Sequence, residues 1–358
     1  MSNVVDPPQG LFQKMLDGIE RLGNKVPHPA VLFFSLIVIV FALSHLLQWL
    51  EVSATYQRIN PETYELEQQS TTVRSLLSPD GLRFVFTSVV SNFVTFGPVG
   101  IILVAMIGVG LAEQSGLIGA LIRKIVIVAP ASSMTAILVT LGVLSSIASD
   151  AGYLVLIPLG AVAFHSLGRH PLAGLAAAFA GVAAAFGANF LVKPIDGILA
   201  EMANDAIAIV DSSRTIDLTA NFYFGIGSSL MLIVVCTLVA NRIVEPRLGK
   251  YEGDAPVPEK KGLTAEETRG LVAAAAALVV LLVGLALLTL PANAVLRNPE
   301  TGAIIGDSPF MSSLVFMIMF GFLITGAAYG IGAKTIQSAD DAIAAITKTI
   351  SDLGGLLF

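Results

Sequence analysis

Charged residues are scarce in this chain, because Asp, Glu, Lys and Arg make up only 13% of its 358 residues. Soluble globular domains usually contain about 25%. Cys236 is the single cysteine, which excludes a disulfide framework, and no CxxC motif or Cys/His cluster indicates a zinc site. The net charge of −6 provides no basic surface for nucleic acid. Since 55% of the residues are hydrophobic, the composition predicts a polytopic membrane protein.

Long uncharged runs separate successive charged residues along the chain. A helix needs about 20 apolar residues to cross the hydrocarbon core of a bilayer, and nearly all of these runs reach that length. The runs lie between Lys25 and Glu51, Arg83 and Glu113, Lys124 and Asp150, Asp150 and Arg169, Arg169 and Lys193, Asp217 and Arg242, Arg269 and Arg297, and Asp307 and Lys334. We therefore predict an all-α, multi-pass protein embedded in a lipid bilayer.

The basic residues orient the predicted spans, because Lys and Arg are enriched on the cytoplasmic side of membrane proteins. If the segment 1–28 is cytoplasmic, the acid-rich stretch 51–83 lies outside and most of the 20 basic residues lie inside. The Pro-, Lys- and Glu-rich segment 242–269 is then a cytoplasmic linker between two membrane halves, 29–241 and 270–358. An ordinary long loop has the same composition, so both interpretations of 242–269 stay open.

Asp150 lies in the middle of the apolar segment between Lys124 and Arg169. A charge at such depth in a membrane is unfavourable and indicates function by default. Small and hydroxyl-bearing residues surround it: Ser145, Ser146, Ser149 and Gly152. The segment fits either two full crossings joined by a polar external turn or a re-entrant hairpin whose tip stops near mid-membrane. Both designs return the chain to the cytoplasm.

A second polar feature follows the small-residue run 172–188, which is typical of membrane helices that pack closely. Its residues are Gly187, Asn189, Lys193, Pro194 and Asp196. Proline lacks a backbone donor and glycine is conformationally free, so the helix is predicted to break here. Secondary transporters hold substrates and coupling ions with the carbonyls and half-helix ends that such a break exposes.

The two charges at this break each have a second interpretation. Lys193 and Asp196 could pair with each other across the break. Alternatively, Lys193 extends its ammonium to the outer interface and Asp196 simply begins the external loop.

Other classes of membrane protein are less well supported by the sequence. No HExxH or GxSxG motif occurs, and no constellation of nucleophile, base and metal ligands is visible, so we expect neither an enzyme nor a cofactor. Pore-lining repeats or a filter-like loop, which a channel would be expected to show, are not found either. An ion channel, or a membrane enzyme without a recognisable motif, is the alternative to a secondary transporter.

Four segments together resemble the AbgT family, bacterial p-aminobenzoyl-glutamate transporters of which some export sulfonamide antimetabolites. They are RLGNKVPHPAVLF (21–33), SSIASDAGYLVLIPLGA (145–161), FGANFLVKPID (186–196) and YGIGAKTI (329–336). The resemblance runs from about residue 20 to the end of the chain.

The resemblance implies an inverted-repeat secondary transporter fold with re-entrant hairpins, usually assembled as a homodimer in the bacterial inner membrane. It implies that 134–166 is the first hairpin and that 172–196 is the discontinuous helix packed on it. It also implies that the second hairpin is missing, so we expect 270–358 to be the start of a truncated second half.

The resemblance further implies roles for individual residues. Asp196 matches the functional aspartate of the first broken helix, whereas Ser146, Ser149 and Asn189 match positions near an ion site that could hold Na⁺. Lys193 is outside the family pattern. The predicted substrate- and ion-binding residues are Ser145, Ser146, Ser149, Asp150, Gly187, Asn189, Pro194 and Asp196. The predicted function is secondary transport of p-aminobenzoyl-glutamate or sulfonamide-type aromatic compounds, driven by a proton or sodium gradient.

Overall fold

The computed structural model of the chain describes residues 23, 25–60, 63, 65–146, 152–184, 186–253 and 262–354. Most of these residues are helical, which confirms the predicted all-α membrane fold. Within the described part, the stretches that are long and apolar enough to cross a membrane are Ala30–Trp49, Pro79–Gln114, Phe222–Leu248, Ala265–Thr289 and Leu314–Ala333. The chain forms two compact units, one that ends at Thr95 and one that begins at Phe96.

The first unit contains two helices and a β-ribbon. Its elements are α1 (Pro29–Trp49), β1 (Ser53–Ile59), β2 (Leu66–Thr72) and α2 (Pro79–Thr95). The two strands pair antiparallel, with Ser53 opposite Thr72 and Ile59 opposite Leu66. The ribbon lies in the polar stretch 51–83 and is not predicted by its composition, because the residues of β2 are nearly all polar and show no apolar face.

The second unit begins with α3 (Gly97–Gln114). The predicted crossing over 84–112 lies within the single membrane-capable stretch Pro79–Gln114, in which α2 ends at Thr95 and α3 begins at Gly97. Pro98 in the first turn of α3 explains the interruption, since proline cannot donate the backbone hydrogen bond that a continuous helix requires.

The remaining elements of the second unit are mostly helical. In chain order they are α4 (Leu117–Val128), a 3₁₀ turn (Ala131–Ser133), α5 (Met134–Ser145), a π-helical turn (Gly152–Leu156), α6 (Ile157–Ser166), α7 (Pro171–Ala183), α8 (Pro194–Val210), α9 (Phe222–Val239), a second π-helical turn (Ala240–Val244), α10 (Glu245–Leu248), α11 (Ala265–Thr289), α12 (Pro309–Ser312), α13 (Leu314–Ala333) and α14 (Ala339–Asp352).

Helix α3 packs closely against α13 and α14 through small residues. A Cβ atom added at Gly108 would lie 1.9 Å from the carbonyl oxygen of Met319 on α13. One added at Gly110 would lie 2.3 Å from the hydroxyl of Thr349 on α14. Glycine at these positions lets the helices approach more closely than larger side chains would allow.

Large apolar side chains cover the outside of several helices. Phe33 on α1 is 66% exposed, Phe224 on α9 is 77% exposed and Val280 on α11 is 72% exposed. Soluble monomers rarely expose contiguous apolar surface on this scale, whereas lipid-facing helices present it routinely. These surfaces therefore agree with helices that face the hydrocarbon core of a bilayer.

The helices α5 and α6 both pack on α7. A Cβ added at Gly142 of α5 would lie 2.5 Å from the backbone of Gly181, and one added at Gly174 would lie 2.2 Å from the carbonyl oxygen of Gly160 on α6. The small residues of α7 thus allow two helices to touch its backbone. The close packing predicted for the run 172–188 is confirmed.

A polar cluster, here called the polar clamp, joins the N-terminal end of α5 and the loop between α6 and α7 to the segment that follows α9. Arg169, between α6 and α7, donates from Nε to Glu245 Oε1 at 2.8 Å and from Nη1 to Thr135 Oγ1 at 3.1 Å. Asn241, in the π-helical turn after α9, accepts from Thr135 Oγ1 at 2.7 Å. Because Thr135 is in the first turn of α5, the clamp fixes the end of α5 that is remote from Ser145.

Candidate functional site

A break separates α7 from α8. Helix α7 ends at Ala183, and the described residues between Ala184 and Lys193 are not helical. Pro194 occupies the first turn of α8, where its missing N–H costs no hydrogen bond. The predicted interruption of the helix is confirmed, and Pro194 is the residue that starts α8.

Asp196 lies in the first turn of α8 and stabilises its N-terminal end. Its Oδ2 accepts a hydrogen bond of 2.7 Å from the backbone N–H of Lys193. A carboxylate is favourable at this position because the N-terminal end of a helix carries partial positive charge. Asp196 therefore begins a helix, not a loop, since α8 continues to Val210.

Asn189 joins the break to the C-terminal end of α5. Its Nδ2 donates to the carbonyl oxygen of Val143 and to Ser146 Oγ, both at 3.0 Å. Its Oδ1 accepts from the backbone N–H groups of Phe190 at 2.7 Å and Leu191 at 3.2 Å. Asn189 is 4% exposed, so these bonds satisfy an amide that is almost entirely inside the protein.

Lys193 also turns inward. Its side chain is buried, Nζ donates to the carbonyl oxygen of Phe186 at 2.7 Å, and Ser146 Oγ lies 3.5 Å from Nζ. The interpretation in which this ammonium extends to the outer interface is therefore wrong. Its contact with Asp196 is made by the backbone N–H of Lys193, while the ammonium contacts other oxygens.

Ser145 and Ser146 end helix α5. Ser145 Oγ donates to the carbonyl oxygen of Gly142 at 2.7 Å, and Ser146 Oγ donates to that of Val143 at 2.9 Å. A Cβ added at Gly152 would lie 2.2 Å from Ser145 Oγ, so the first residue of the π-helical turn lies against the end of α5. The predicted site residues Ser149 and Asp150 lie outside the described residues.

The lengths of the hairpin helices bear on how they sit in a membrane. Helix α5 has 12 residues and α6 has 10. At about 1.5 Å per residue, neither matches the roughly 30 Å of a bilayer core. Helix α4 and the helical segment that includes α5 are bent by 117° relative to each other. Helices this short agree with a re-entrant hairpin over 134–166, which stays a prediction.

A cavity of about 350 Å³ lies beside the break. Three predicted site residues line it, namely Gly187, Asn189 and Asp196. Its size falls in the range of small-molecule sites, about 300–1,000 Å³, and it combines apolar walls with a few polar groups, as such sites usually do. Ser145, Ser146 and Pro194 do not line this cavity but hold the elements around it.

Helix α9 supplies the opposite wall of this cavity, which the sequence does not predict. Its lining residues at and near the start of α9 are Asn221, Phe222, Phe224, Gly225 and Ser228. A Cβ added at Gly225 would lie 3.1 Å from the carbonyl oxygen of Asn189, so α9 approaches the break closely. The sequence feature that could have indicated this wall is the presence of polar residues and glycines in an otherwise apolar span.

A second cavity, of about 570 Å³, lies between α11 and α13. Its lining is apolar apart from Ser313 and includes Leu285, Phe316 and Phe320. Such a groove offers few groups that could orient a polar substrate. The cavity beside the break is therefore the better candidate site.

Comparison with known proteins matches nearly the whole chain to one family. The model of the AbgT putative transporter family matches residues 14–358. The p-aminobenzoyl-glutamate transport protein of Escherichia coli (strain K12) is 33% identical over 351 residues, which are 98% of this chain and 67% of that protein.

Two solved structures share the fold. The YdaH transporter of Alcanivorax borkumensis, described as having an unusual topology, is 38% identical with a TM-score of 0.80, over 92% of this chain and 68% of that one. MtrF of Neisseria gonorrhoeae, described as illuminating a class of antimetabolite efflux pumps, is 38% identical with a TM-score of 0.84, over 96% and 69% of the two chains.

Proposed function

Since the chain belongs to the AbgT family of putative transporters, we propose that it is a secondary active transporter of p-aminobenzoyl-glutamate or sulfonamide-type aromatic compounds. A proton or sodium gradient drives the transport, and the membrane is the bacterial inner membrane. The observation that carries the proposal is the cavity beside the break, because it places Asp196 and Asn189 at the interruption of a membrane helix. The substrate class is supported by the two relatives named for p-aminobenzoyl-glutamate transport and antimetabolite efflux.

The side chains around the cavity suit an aromatic substrate with polar ends. Phe222 and Phe224 supply ring surfaces on the α9 side, and Ser228 supplies a hydroxyl. The Asp196 carboxylate would repel a carboxylate of the substrate, so its partner in the transport cycle is a proton, a cation or an amine. We assign Asp196 the coupling role and the α9 wall the role of contacting the substrate.

The hairpin and the broken helix form one transport element in this proposal. Helices α5 and α6 enter the membrane from the cytoplasmic side without crossing it, since both are short. Asn189 bonds the tip of α5 to the break. The substrate and ion therefore bind where the end of α5 meets the break between α7 and α8, as in other secondary transporters with discontinuous helices. The functional assembly is a homodimer.

The test is gradient-driven flux of labelled p-aminobenzoyl-glutamate and of a sulfonamide in proteoliposomes. Saturable flux that follows an imposed H⁺ or Na⁺ gradient is expected, whereas non-saturating ionic current would indicate a channel. Asp196→Asn keeps an acceptor for the Lys193 N–H but removes the charge. It should lower coupled flux at least about tenfold, because a neutral amide neither takes up a proton nor pairs with a cation as the carboxylate does.

Asp205→Asn on the same helix is the matched control, because Asp205 is exposed and does not line the cavity. It should retain the flux of the unmodified chain. Equal flux from the Asp196→Asn variant would refute the assignment of the coupling site to Asp196. The absence of saturable flux of either compound from the unmodified chain would refute the proposed function.

A further inference from the structure

The Lys193 ammonium is held by oxygens at the centre of the break. The residue is 2% exposed, and its Nζ lies 2.7 Å from the carbonyl oxygen of Phe186 and 3.5 Å from Ser146 Oγ. Nζ also lies 5.8 Å from the centroid of the Phe186 ring, within the range of a cation–π contact. A buried ammonium is tolerated only when such partners compensate for the loss of water.

Helix ends explain why a positive charge is favourable here. Helix α5 ends at Ser145 and α7 ends at Ala183, and C-terminal ends of helices carry partial negative charge. Ser146 is the C-terminal cap of α5, and Phe186 follows the end of α7 by three residues. The Lys193 ammonium contacts both residues, so it lies beside two negative helix ends. The start of α8, which is positive, is capped by the Asp196 carboxylate instead.

The oxygen atoms around this position already accept hydrogen bonds. Asn189 Oδ1 accepts two backbone N–H groups, and Ser146 Oγ accepts from Asn189 Nδ2 as well as from Lys193. The carbonyl oxygen of Phe186 accepts from Lys193. A hard cation such as Na⁺ would need carbonyl and hydroxyl oxygens of this kind as ligands. Among the described residues of the break, Ser146 and Asn189 therefore do not fit the Na⁺ site expected near them.

We propose that Lys193 is the resident cation of this break and determines ion specificity. Its ammonium takes the position between the ends of α5 and α7 that a metal cation would otherwise fill. The protein then binds no Na⁺ between Ser146 and the Phe186 carbonyl, and its transport does not depend on Na⁺. The consequence for transport rests on the proposed function, but the occupancy of the position by the lysine does not.

Equilibrium binding of ²²Na⁺ to the purified full chain in detergent tests the proposal without transport. Lys193→Met removes the ammonium and leaves a side chain of similar length. This variant should bind one more Na⁺ per chain than the unmodified protein, and adding Ser146→Ala should weaken that binding at least tenfold. The control is Lys250→Met, since Lys250 is an exposed lysine beyond α10, and it should leave Na⁺ binding unchanged.

Two results would overturn the proposal. One is a folded Lys193→Met variant that gains no Na⁺. The other is saturable Na⁺ binding by the unmodified chain that Ser146→Ala abolishes. If Lys193→Met does not fold, the second measurement decides alone.

In proteoliposomes the unmodified chain should transport equally in Na⁺ and K⁺ media, and the Lys193→Met variant should gain dependence on Na⁺. A chain that transports neither compound would refute the proposed function, while the binding result would still stand.

Discussion

Asn189 uses both the donors and the acceptor of its side chain inside the protein. The amide holds the end of α5 through Val143 and Ser146, and it holds the break through the N–H groups of Phe190 and Leu191. No other amino acid of similar size offers two donors and an acceptor in this arrangement. Asn189 therefore connects the end of α5 to the break between α7 and α8, whether or not it also contacts the substrate.

Replacing Asn189 by alanine should destabilise the protein by about 2–4 kcal/mol, because each buried polar group left unpaired costs about 1–3 kcal/mol. The measurement is reversible unfolding in mixed micelles, monitored by the change in helical signal. Asn92→Ala on α2 is the control, since Asn92 is exposed, and substitutions at such positions usually change stability by less than about 0.5 kcal/mol. Equal stability of the two variants would contradict the bridging role of Asn189.

Helix α7 is built so that two other helices can touch its backbone. Gly181 faces α5, where an added Cβ would lie 2.7 Å from the carbonyl oxygen of Val139. Gly174 faces α6 in the same way. The alanine- and glycine-rich composition predicted close packing, but it could not indicate which glycine meets which helix, because several small residues share each face.

Gly181→Ala should destabilise the packing of α5 on α7 by about 1–3 kcal/mol, the usual cost of inserting atoms into a packed interface. The matched change is Gly227→Ala on α9, where no atom lies within 4 Å of an added Cβ. That variant should be neutral or more stable by up to about 1 kcal/mol, because alanine favours helix more than glycine does. Thermal unfolding of both variants in one detergent measures the difference. A neutral Gly181→Ala would show that the helices separate easily.

The charges along the whole chain predict its orientation in the membrane. Lys and Arg concentrate in segments predicted to be cytoplasmic, including 242–269, while the β-ribbon lies in the stretch 51–83 predicted to be outside. The structure adds that charged residues extend helices beyond the predicted spans. Helical structure after Phe222 continues to Leu248, and the Arg and Glu residues of this extension have favourable helix propensity.

Cysteine labelling tests this orientation. Cys236 is the single cysteine, so Cys236→Ser gives a chain without thiols, into which single cysteines can be introduced. Gln69→Cys on β2 should react with a membrane-impermeant maleimide in intact cells. Lys250→Cys should react only after the inner membrane is permeabilised. Both parent residues are exposed, so a difference in reactivity reports the side of the membrane. The reverse pattern would invert the assigned topology.

The sequence by itself determined the class of protein and the place of the helix break. Long uncharged runs require a bilayer, and Gly187 and Pro194 favour an interruption of the helix between them. These are local properties, because each depends on the solvation or the backbone of a short segment. The resemblance of four segments to the AbgT family is likewise visible in the sequence alone.

Only the tertiary structure decided what the polar residues of the break do. The sequence allowed Lys193 to reach the outer interface and Asp196 to begin a loop, because both alternatives satisfy the same local pattern. The fold instead brings the ends of α5 and α7 together around Lys193, and it places α9 across the cavity from Asp196. The direction of a long charged side chain depends on which oxygens and helix ends surround it, and residues distant in sequence supply those partners.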